Sequence, residues 1–310
     1  MPRIPVGDYV NDGIQFLLRH LGGVFDGLSS AVTSVVNAVY WLLHTPSSGV
    51  LIPVFAVIAW LATRRWQLVV FTILAFLLVD SMGLWTAAMQ SLTIVLISGT
   101  AAVAIGVPIG VWAATSDRAA AAVRPVLDFM QTLPVFVYLI PSVFFFGIGV
   151  VPGTVSTTVF ALPPAVRLTA LGIRQVDREI VEAAQAFGSR PRQVLSQVQL
   201  PLAMPSIMAG VNQVIMLALS MVVIAGMVGA GGLGEIVVRG VTQLDVGAGF
   251  EGGLAVVALA IFLDRVTGGL GTPGFRIPRL RRRPAADRAA PAPEGAAPAT
   301  PAAGLAKGTS

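Results

Sequence analysis

A chain of 310 residues that is 55% hydrophobic and only 11% charged, with a mean hydropathy of +0.82, is not a soluble globular domain, since such domains carry about 25% charged residues. It contains no cysteine, which excludes disulfides, thiolate chemistry and Cys-based metal sites. Its two histidines, His20 and His44, both precede the apolar spans, which excludes a histidine metal cluster in the membrane. The net charge of +5 does not mark a nucleic-acid binder, because the arginines fall between and after apolar spans rather than in one patch.

Residues 1–48 are mixed. Leu28, Val32, Val35, Val36, Val39 and Leu42 form a helical stripe, with Asp26, Ser29, Ser30, Ser34 and Asn37 opposite. The segment is too polar to span a bilayer and reads as an extracytoplasmic amphipathic helix at the outer surface. Tyr40 and Trp41 near its end suit the headgroup region. No basic stretch leads at once into an apolar core, so no cleaved signal peptide is expected.

Apolar spans follow at 50–62, 66–84, 89–114, 129–150, 154–171, 207–228 and 254–266. A hydrocarbon core of about 30 Å takes about 20 residues to cross, so about seven spans fit, the first and last being short. Pro108, Pro134, Pro141, Pro163 and Pro164 interrupt them. Each removes a backbone donor and bends or breaks a helix, and the released carbonyls must be covered by protein or line a watery path. One such proline is most simply a packing kink; five in adjacent spans point to a translocation path. Asp80, Asp128 and Asp264 lie close to span ends, whereas an ion-coupled carrier places ionisable groups at mid-depth. That weighs against a self-sufficient secondary carrier.

The segment 179–210 is the longest polar interruption in the second half of the chain. Ile180, Ala183, Ala184 and Phe187 share one helical face, with Arg178, Glu179, Glu182 and Gln185 on the other. Gly188 stands where a left-handed residue closes a helix. Ser189 then suits the cap of a second helix with Pro191 in its first turn, ending near Leu200-Pro201. The compact apolar face suits insertion into a groove on a partner protein; the same pattern also suits an amphipathic linker on the headgroups. Beyond it, the glycine-rich run at 226–234 reads as a flexible, closely packed outer loop that could line an external gate. After residue 272 the chain turns to Pro, Ala and Gly, a composition that buries no core, so 271–310 is expected as a disordered cytoplasmic tail. The arginines at 276–283 before it read as a stop-transfer flank, or as a contact for anionic lipid. No GxxxxGK[ST] pattern occurs and the one lysine is Lys307, so no P-loop binds ATP here.

Glu182-Ala183-Ala184, three residues, Gly188, nine residues, then Val198-Gln199-Leu200-Pro201 resembles the EAA loop of ABC-importer permeases, departing only in Val198 for Ile. Further stretches are similar to the glycine betaine/proline/choline permease subfamily. They include Asp128 to Pro134 (DFMQTLP), Val137 to Pro141 (VYLIP), Ala161-Leu162-Pro163-Pro164, Leu202-Ala203-Met204-Pro205, and Leu219 to Ala225 (LSMVVIA). The likeness runs from about Pro5 to Thr267. It implies an all-α polytopic membrane protein, the transmembrane domain of a type I ABC importer, at 85–270, with two accessory helices at 49–84 and a coupling loop at 178–206. It implies a homodimer with two ATP-binding cassette ATPase subunits inside and a substrate-binding protein outside. No cofactor is expected in this chain, with ATP and Mg on the ATPase. Glu182, Ala183, Ala184, Phe187, Gly188, Leu200 and Pro201 are implied to couple the ATPase, while Pro134, Pro141, Pro163, Pro164, Ser220 and Met221 are candidates for the path or its gate.

Placing that loop in the cytoplasm puts Arg64, Arg65, Arg118, Arg124, Arg174, Arg178, Arg190, Arg192 and Arg265 inside as well, and only Arg3, Arg19 and Arg239 outside. The N-terminus is then outside and the C-terminus inside. Quaternary ammonium groups are held by aromatic cages. Here Trp60, Trp66, Trp85, Trp112 and Tyr138 are dispersed and read as interfacial anchors, which leaves selection to the binding protein. A permease for another small substrate such as an amino acid, a secondary carrier and a non-transport membrane scaffold are the alternatives.

Overall fold

The computed structural model describes residues 6–271. Arg3, the arginines at 276–283 and the expected tail beyond 271 fall outside them. Twelve α-helices, and no strand among the described residues, make up this part of the chain: α1 (Val6–His44), α2 (Ser48–Thr63), α3 (Trp66–Ser81), α4 (Trp85–Thr115), α5 (Asp117–Thr132), α6 (Val135–Phe146), α7 (Val150–Arg174), α8 (Arg178–Ala186), α9 (Pro191–Gln193), α10 (Leu200–Gly226), α11 (Gly232–Thr242) and α12 (Val246–Leu270). A π-helical turn, Val194–Gln199, joins α9 to α10 without a break.

α7 is the centre. It packs along α4 on one side and α10 on the other. Between helices in lipid there is no water to expel, so close approach depends on small residues at the contact. A Cβ on Gly106 of α4 would fall 2.6 Å from the Cβ of Ala165, and one on Gly110 would fall 2.6 Å from that of Thr169. On the other side, a Cβ on Gly210 of α10 would lie 3.1 Å from Leu168 Cβ, and one on Gly172 of α7 would lie 2.6 Å from Ser206 Cβ. Ala102, Ala161, Ala165 and Val214 fill the space where the three helices meet. Ser98 Oγ ties α4 to α7 by donating to Thr154 O at 3.1 Å. A second core joins α2, α3, α4 and α12, where Phe55, Phe76 and Phe262 meet with ring centroids 4.9–5.5 Å apart.

Each of the seven expected spans falls on a helix, but they differ in kind. Among the described residues only α4, the continuous Pro191–Gly226 helix and α12 are long and apolar enough to cross a membrane alone; the number rises to five if each of two bent pairs is one span. The span expected at 129–150 is one of those pairs, α5 and α6, bent by 99° at Leu133-Pro134. The other is α1 with α2, bent by 100°. α3 has 16 residues, about 24 Å of helix. α7 is long enough but carries Ser and Thr, and its enclosure by α4 and α10 removes the need for a lipid-compatible surface. The hydroxyls of Thr154, Ser156, Thr157 and Thr158 turn onto their own helix backbone, as Thr157 Oγ1 does on Gly153 O at 2.6 Å. Of the interrupting prolines, only Pro134 stands at a break; Pro108, Pro141, Pro163 and Pro164 lie inside continuous helices.

Two further expectations are corrected. The stripe on α1 is divided: Val36 is buried and Val32 and Val39 half-buried, whereas Leu28, Val35 and Leu42 are exposed. The bundle-facing residue that starts this contact is Phe25, stacked on Phe145 of α6 at 4.5 Å. The glycine-rich run, expected as a flexible, closely packed outer loop, is closely packed, but its second part opens α11 instead of remaining loop. Gln90 Oε1 and Ser91 Oγ accept from the backbone N–H groups of Gly232 and Leu233, both at 2.9 Å, which satisfies the first donors of that helix. A Cβ on Gly234 would lie 2.1 Å from Val222 O.

Gly110→Val is expected to cost about 1–3 kcal/mol or more by overpacking α4 against α7, read as a lower melting temperature of the detergent-solubilised protein. Gly27→Val, whose Cβ meets nothing within 4 Å, is expected to leave that temperature unchanged.

Candidate functional site

The EAA segment begins where α7 is tied down. Arg174 Nη2 donates to Ala113 O and to Asp117 Oδ1, both at 2.9 Å, so the ends of α7 and α4 and the start of α5 are held together. α8 follows after a short turn. Its N-cap is Asp177, whose Oδ1 accepts from Glu179 N–H at 3.0 Å and places a carboxylate on the positive helix end. At the other end Gly188 takes φ +82°, a region that side chains with a Cβ rarely adopt. The reversal is closed by Gly188 N–H on Gln185 O at 2.9 Å and Ser189 N–H on Ala184 O at 3.2 Å.

The next helix does not start on Ser189, as the sequence suggests. Its N-cap is Arg190, whose backbone N–H is taken by Gln193 Oε1 at 2.9 Å, with Pro191 in the first turn, where its missing donor costs nothing. Nor does it stop at Leu200-Pro201. The π-helical turn carries it through: Leu200 N–H donates to Leu195 O, five residues back. The widened turn meets the proline without ending the helix.

The seven residues expected to couple the ATPase divide by exposure. Along α8 nothing is buried. Phe187 is 91% exposed and Ile180 44%, with Glu182, Ala183 and Gly188 also exposed and Ala184 half-buried. Below α8 lies a cleft of about 740 Å³, lined by Glu182 and Gln185 from α8 and by Arg174, Arg178 and Arg192 around it. Among the described residues α8 therefore stands away from the bundle, with Ile180, Ala183 and Phe187 of its apolar face exposed. Leu200 belongs to the support: with Leu195 it packs against Ile173, Ala203 and Ile207. Pro201 is exposed at the surface of the continuing helix.

The path candidates do not form one cluster. Pro134 is exposed at the bend between α5 and α6, and Pro141 is half-buried in α6. Pro163 and Pro164 are buried in α7. Met221 is fully buried in α10 and contributes packing in this conformation, while the neighbouring Ser220 is exposed, its Oγ donating to Met216 O at 3.0 Å. The bend itself is braced by Tyr138, whose hydroxyl donates to Met130 O, and by an ion pair between Asp128 of α5 and Arg167 of α7. The other two carboxylates near span ends are also partnered: Asp80 accepts from Ser48 Oγ, and Asp264 from Asn212 Nδ2, both at 2.9 Å.

Residues 106–270, which contain the glycine contacts, the bend and the α8 knuckle, match the family described as binding-protein-dependent transport system inner membrane component. The chain belongs to this family. Among its relatives is the glycine betaine transport system permease protein OpuAB of Bacillus subtilis, 48% identical, covering 86% of this chain and 94% of that one. The glycine betaine/proline betaine transport system permease protein ProW of Escherichia coli is 49% identical, covering 86% of this chain and 75% of that one. In fold it is similar to a chain of the MetNI methionine ABC transporter in an inward-facing conformation, with a TM-score of 0.55 at 21% identity, covering 59% of this chain and 91% of the other. The permease is thus a multi-pass membrane component with the all-α fold of a type I importer.

The sequence reading missed the parts that hold the permease's knuckle in place. Asp177, directly before an amphipathic run, is a legible cap signal. Arg174 with Asp117 and Ala113 joins residues 57 or more positions apart and leaves no local trace. Asp177→Ala is expected to destabilise α8 by about 1 kcal/mol. Hydrogen exchange should then be about fivefold faster at the amides of α8 and unchanged in α7.

Proposed function

We propose that this chain is the permease subunit of an ATP-driven importer for glycine betaine/proline/choline-type compatible solutes. The observation that carries the reading is α8: a short helix fixed at both ends, raised from the bundle, with Ile180, Ala183 and Phe187 of its apolar face exposed among the described residues. A large side chain such as Phe187 contributes about 1.5–3 kcal/mol when fully buried by a partner. The natural occupant is a groove on a separate ATPase, which supplies the ATP and Mg that this chain has no P-loop to hold. The names of the relatives support the substrate class.

In this reading two copies form the path, with two ATPases on the cytoplasmic side and a substrate-binding protein outside. Charge supports the orientation. Arg64, Arg65 and Arg265 lie around the contact of α2 and α3 with the end of α12. That end meets α10 near Met208, and α10 meets α7 near Gly172, close to Arg174 and the α8 loop. These arginines therefore share one end of the bundle, which the positive-inside rule makes cytoplasmic. Arg239 lies on α11, toward the other end. The N-terminus is then outside and the C-terminal end of α12 inside.

The mechanism is alternating access driven from outside the chain. Closure of the ATPases displaces α8, with Glu182 and Phe187 in contact, Ala183 and Ala184 permitting close approach, and Gly188 fixing the turn. Because α8 is set between the tied end of α7 and the continuous helix into α10, its displacement moves those two spans together. The bend at Pro134 and the outward Ser220 then lie on or beside the path as it opens to the binding protein. Trp60 and Trp66 line one exposed furrow between α2 and α3, while Trp112 is exposed on α4; among the described residues these rings form no aromatic cage, which supports leaving substrate selection to the binding protein.

Gly188→Asp is expected to insert normally but to lose most ATP-driven uptake of labelled glycine betaine in proteoliposomes containing the ATPase and the binding protein. Normal uptake with normal ATPase stimulation would show that the turn has no such role. Glu182→Lys is expected to lower co-purification of the ATPase several-fold, and an unchanged yield of complex would remove Glu182 from the interface. Uptake by this chain alone, without ATP, would replace the whole reading with a secondary carrier.

A further inference from the structure

The turn between α2 and α3 carries a feature that transport does not use. Arg64 and Arg65 are adjacent, and with Arg265 of α12 they line a cleft of about 480 Å³ whose only carboxylate among the described residues is Asp264. That carboxylate is already engaged: its Oδ1 accepts from Asn212 Nδ2 at 2.9 Å, and its contact with Arg265 Nε is a long 3.8 Å. Among the described residues no carboxylate pairs with Arg64 or Arg65. Three guanidinium groups thus face one occupied acid, an arrangement that an external anion would relieve.

The geometry holds these charges in place. Arg64 closes α2 in a left-handed conformation, φ +56°, with its N–H on Trp60 O at 2.7 Å. The turn is pressed against α12, where a Cβ on Gly269 would lie 2.6 Å from Ala62 O. Arg64 also lies over the Trp60 ring at 4.9 Å, and that ring belongs to a second hollow. This is a furrow of about 330 Å³ between α2 and α3, lined by Ala56, Val57, Trp60, Trp66, Val69 and Val70, with almost no polar surface. Trp60 and Trp66 are both largely exposed there, at the level where indole rings favour the membrane–water boundary.

A cationic cleft at the boundary, continuous through Arg64 and Trp60 with an apolar furrow running into the hydrocarbon, has the two chemistries of one amphiphile. We infer that this is a binding site for an anionic phospholipid, its phosphate held by Arg64, Arg65 and Arg265 and an acyl chain lying along Trp60 and Trp66. A free anion would use the cleft and leave the furrow empty. A neutral lipid would use the furrow and leave the arginines unmatched. The bound lipid would add to the packing of the α2–α3 hairpin against α12, where Phe55 and Phe76 already meet Phe262 and Gly269 lies against Ala62.

The test uses the full-length protein in nanodiscs of equal parts phosphatidylglycerol and phosphatidylcholine, released into the gas phase so that retained lipids are weighed by mass spectrometry. Wild type is expected to retain phosphatidylglycerol in preference to phosphatidylcholine. R64Q/R65Q/R265Q is expected to lose that preference, at about fivefold per arginine. Val57→Phe with Val70→Phe, which fills the furrow and spares the charges, is expected to lower retention as well. Arg118→Gln, at the same end but outside the cleft, should leave it unchanged. Equal retention of the two lipids, an unaltered triple variant, or an Arg118→Gln loss as large as that of a cleft arginine would overturn the site. So would displacement of phosphatidylglycerol by inorganic phosphate at matched concentration, which would mark a free-anion pocket.

Discussion

The structure depends on how closely α4 and α10 approach α7. In hydrocarbon, association rests on van der Waals contact and a few hydrogen bonds, and both require backbones near enough to touch. Gly106, Gly110, Gly172 and Gly210 provide that nearness by having no side chain where a neighbour already stands. The same approach covers α7, which allows its hydroxyl-rich stretch, Thr154 to Thr158, to sit at membrane depth. It also encloses Pro163 and Pro164, whose backbone would otherwise be left without partners in lipid.

The α8 knuckle inherits its rigidity from this arrangement. One arm is the end of α7, pinned by Arg174 to α4 and α5. The other is the uninterrupted helix from Pro191 into α10, anchored by Val194, Leu195 and Leu200. α8 itself has no buried residue, so its position is set by its two attachments and its shape by Asp177 and Gly188. A loosely attached helix would absorb a push from a partner; in the proposed reading this one would pass it to its two arms, α7 and α10.

The parts of this protein that follow from spacing and from long apolar runs were legible in the sequence: the EAA pattern, a helix over Ile180 to Phe187, the glycine that closes it, and a helix under every expected span. What was not legible depends on neighbours. Pro134 marked a break in the span at 129–150, but not that the chain turns there through 99°. The proline rule ended a helix at Leu200-Pro201 that a π-helical turn carries onward. On α1 both faces are apolar in part, and only packing decides that Val36 is covered and Val35 is not. Met221 and Ser220 are adjacent and alike in promise as path residues, yet one is interior and the other outward, a difference of helical phase fixed by α10's partners.

The π-helical turn at Val194–Gln199 has a consequence for how such chains diverge. A turn of this kind holds one residue more than the α-helix that would replace it. Deleting one residue of the turn would return the helix to the α pitch, and because the wider turn already absorbs the extra residue, the helix on either side would keep nearly the same facing. What the deletion would remove is the widened turn that meets Pro201 without ending the helix. A homologue one residue shorter here would present an ordinary α-helical turn to that proline, whose ring then clashes with the carbonyl four residues back.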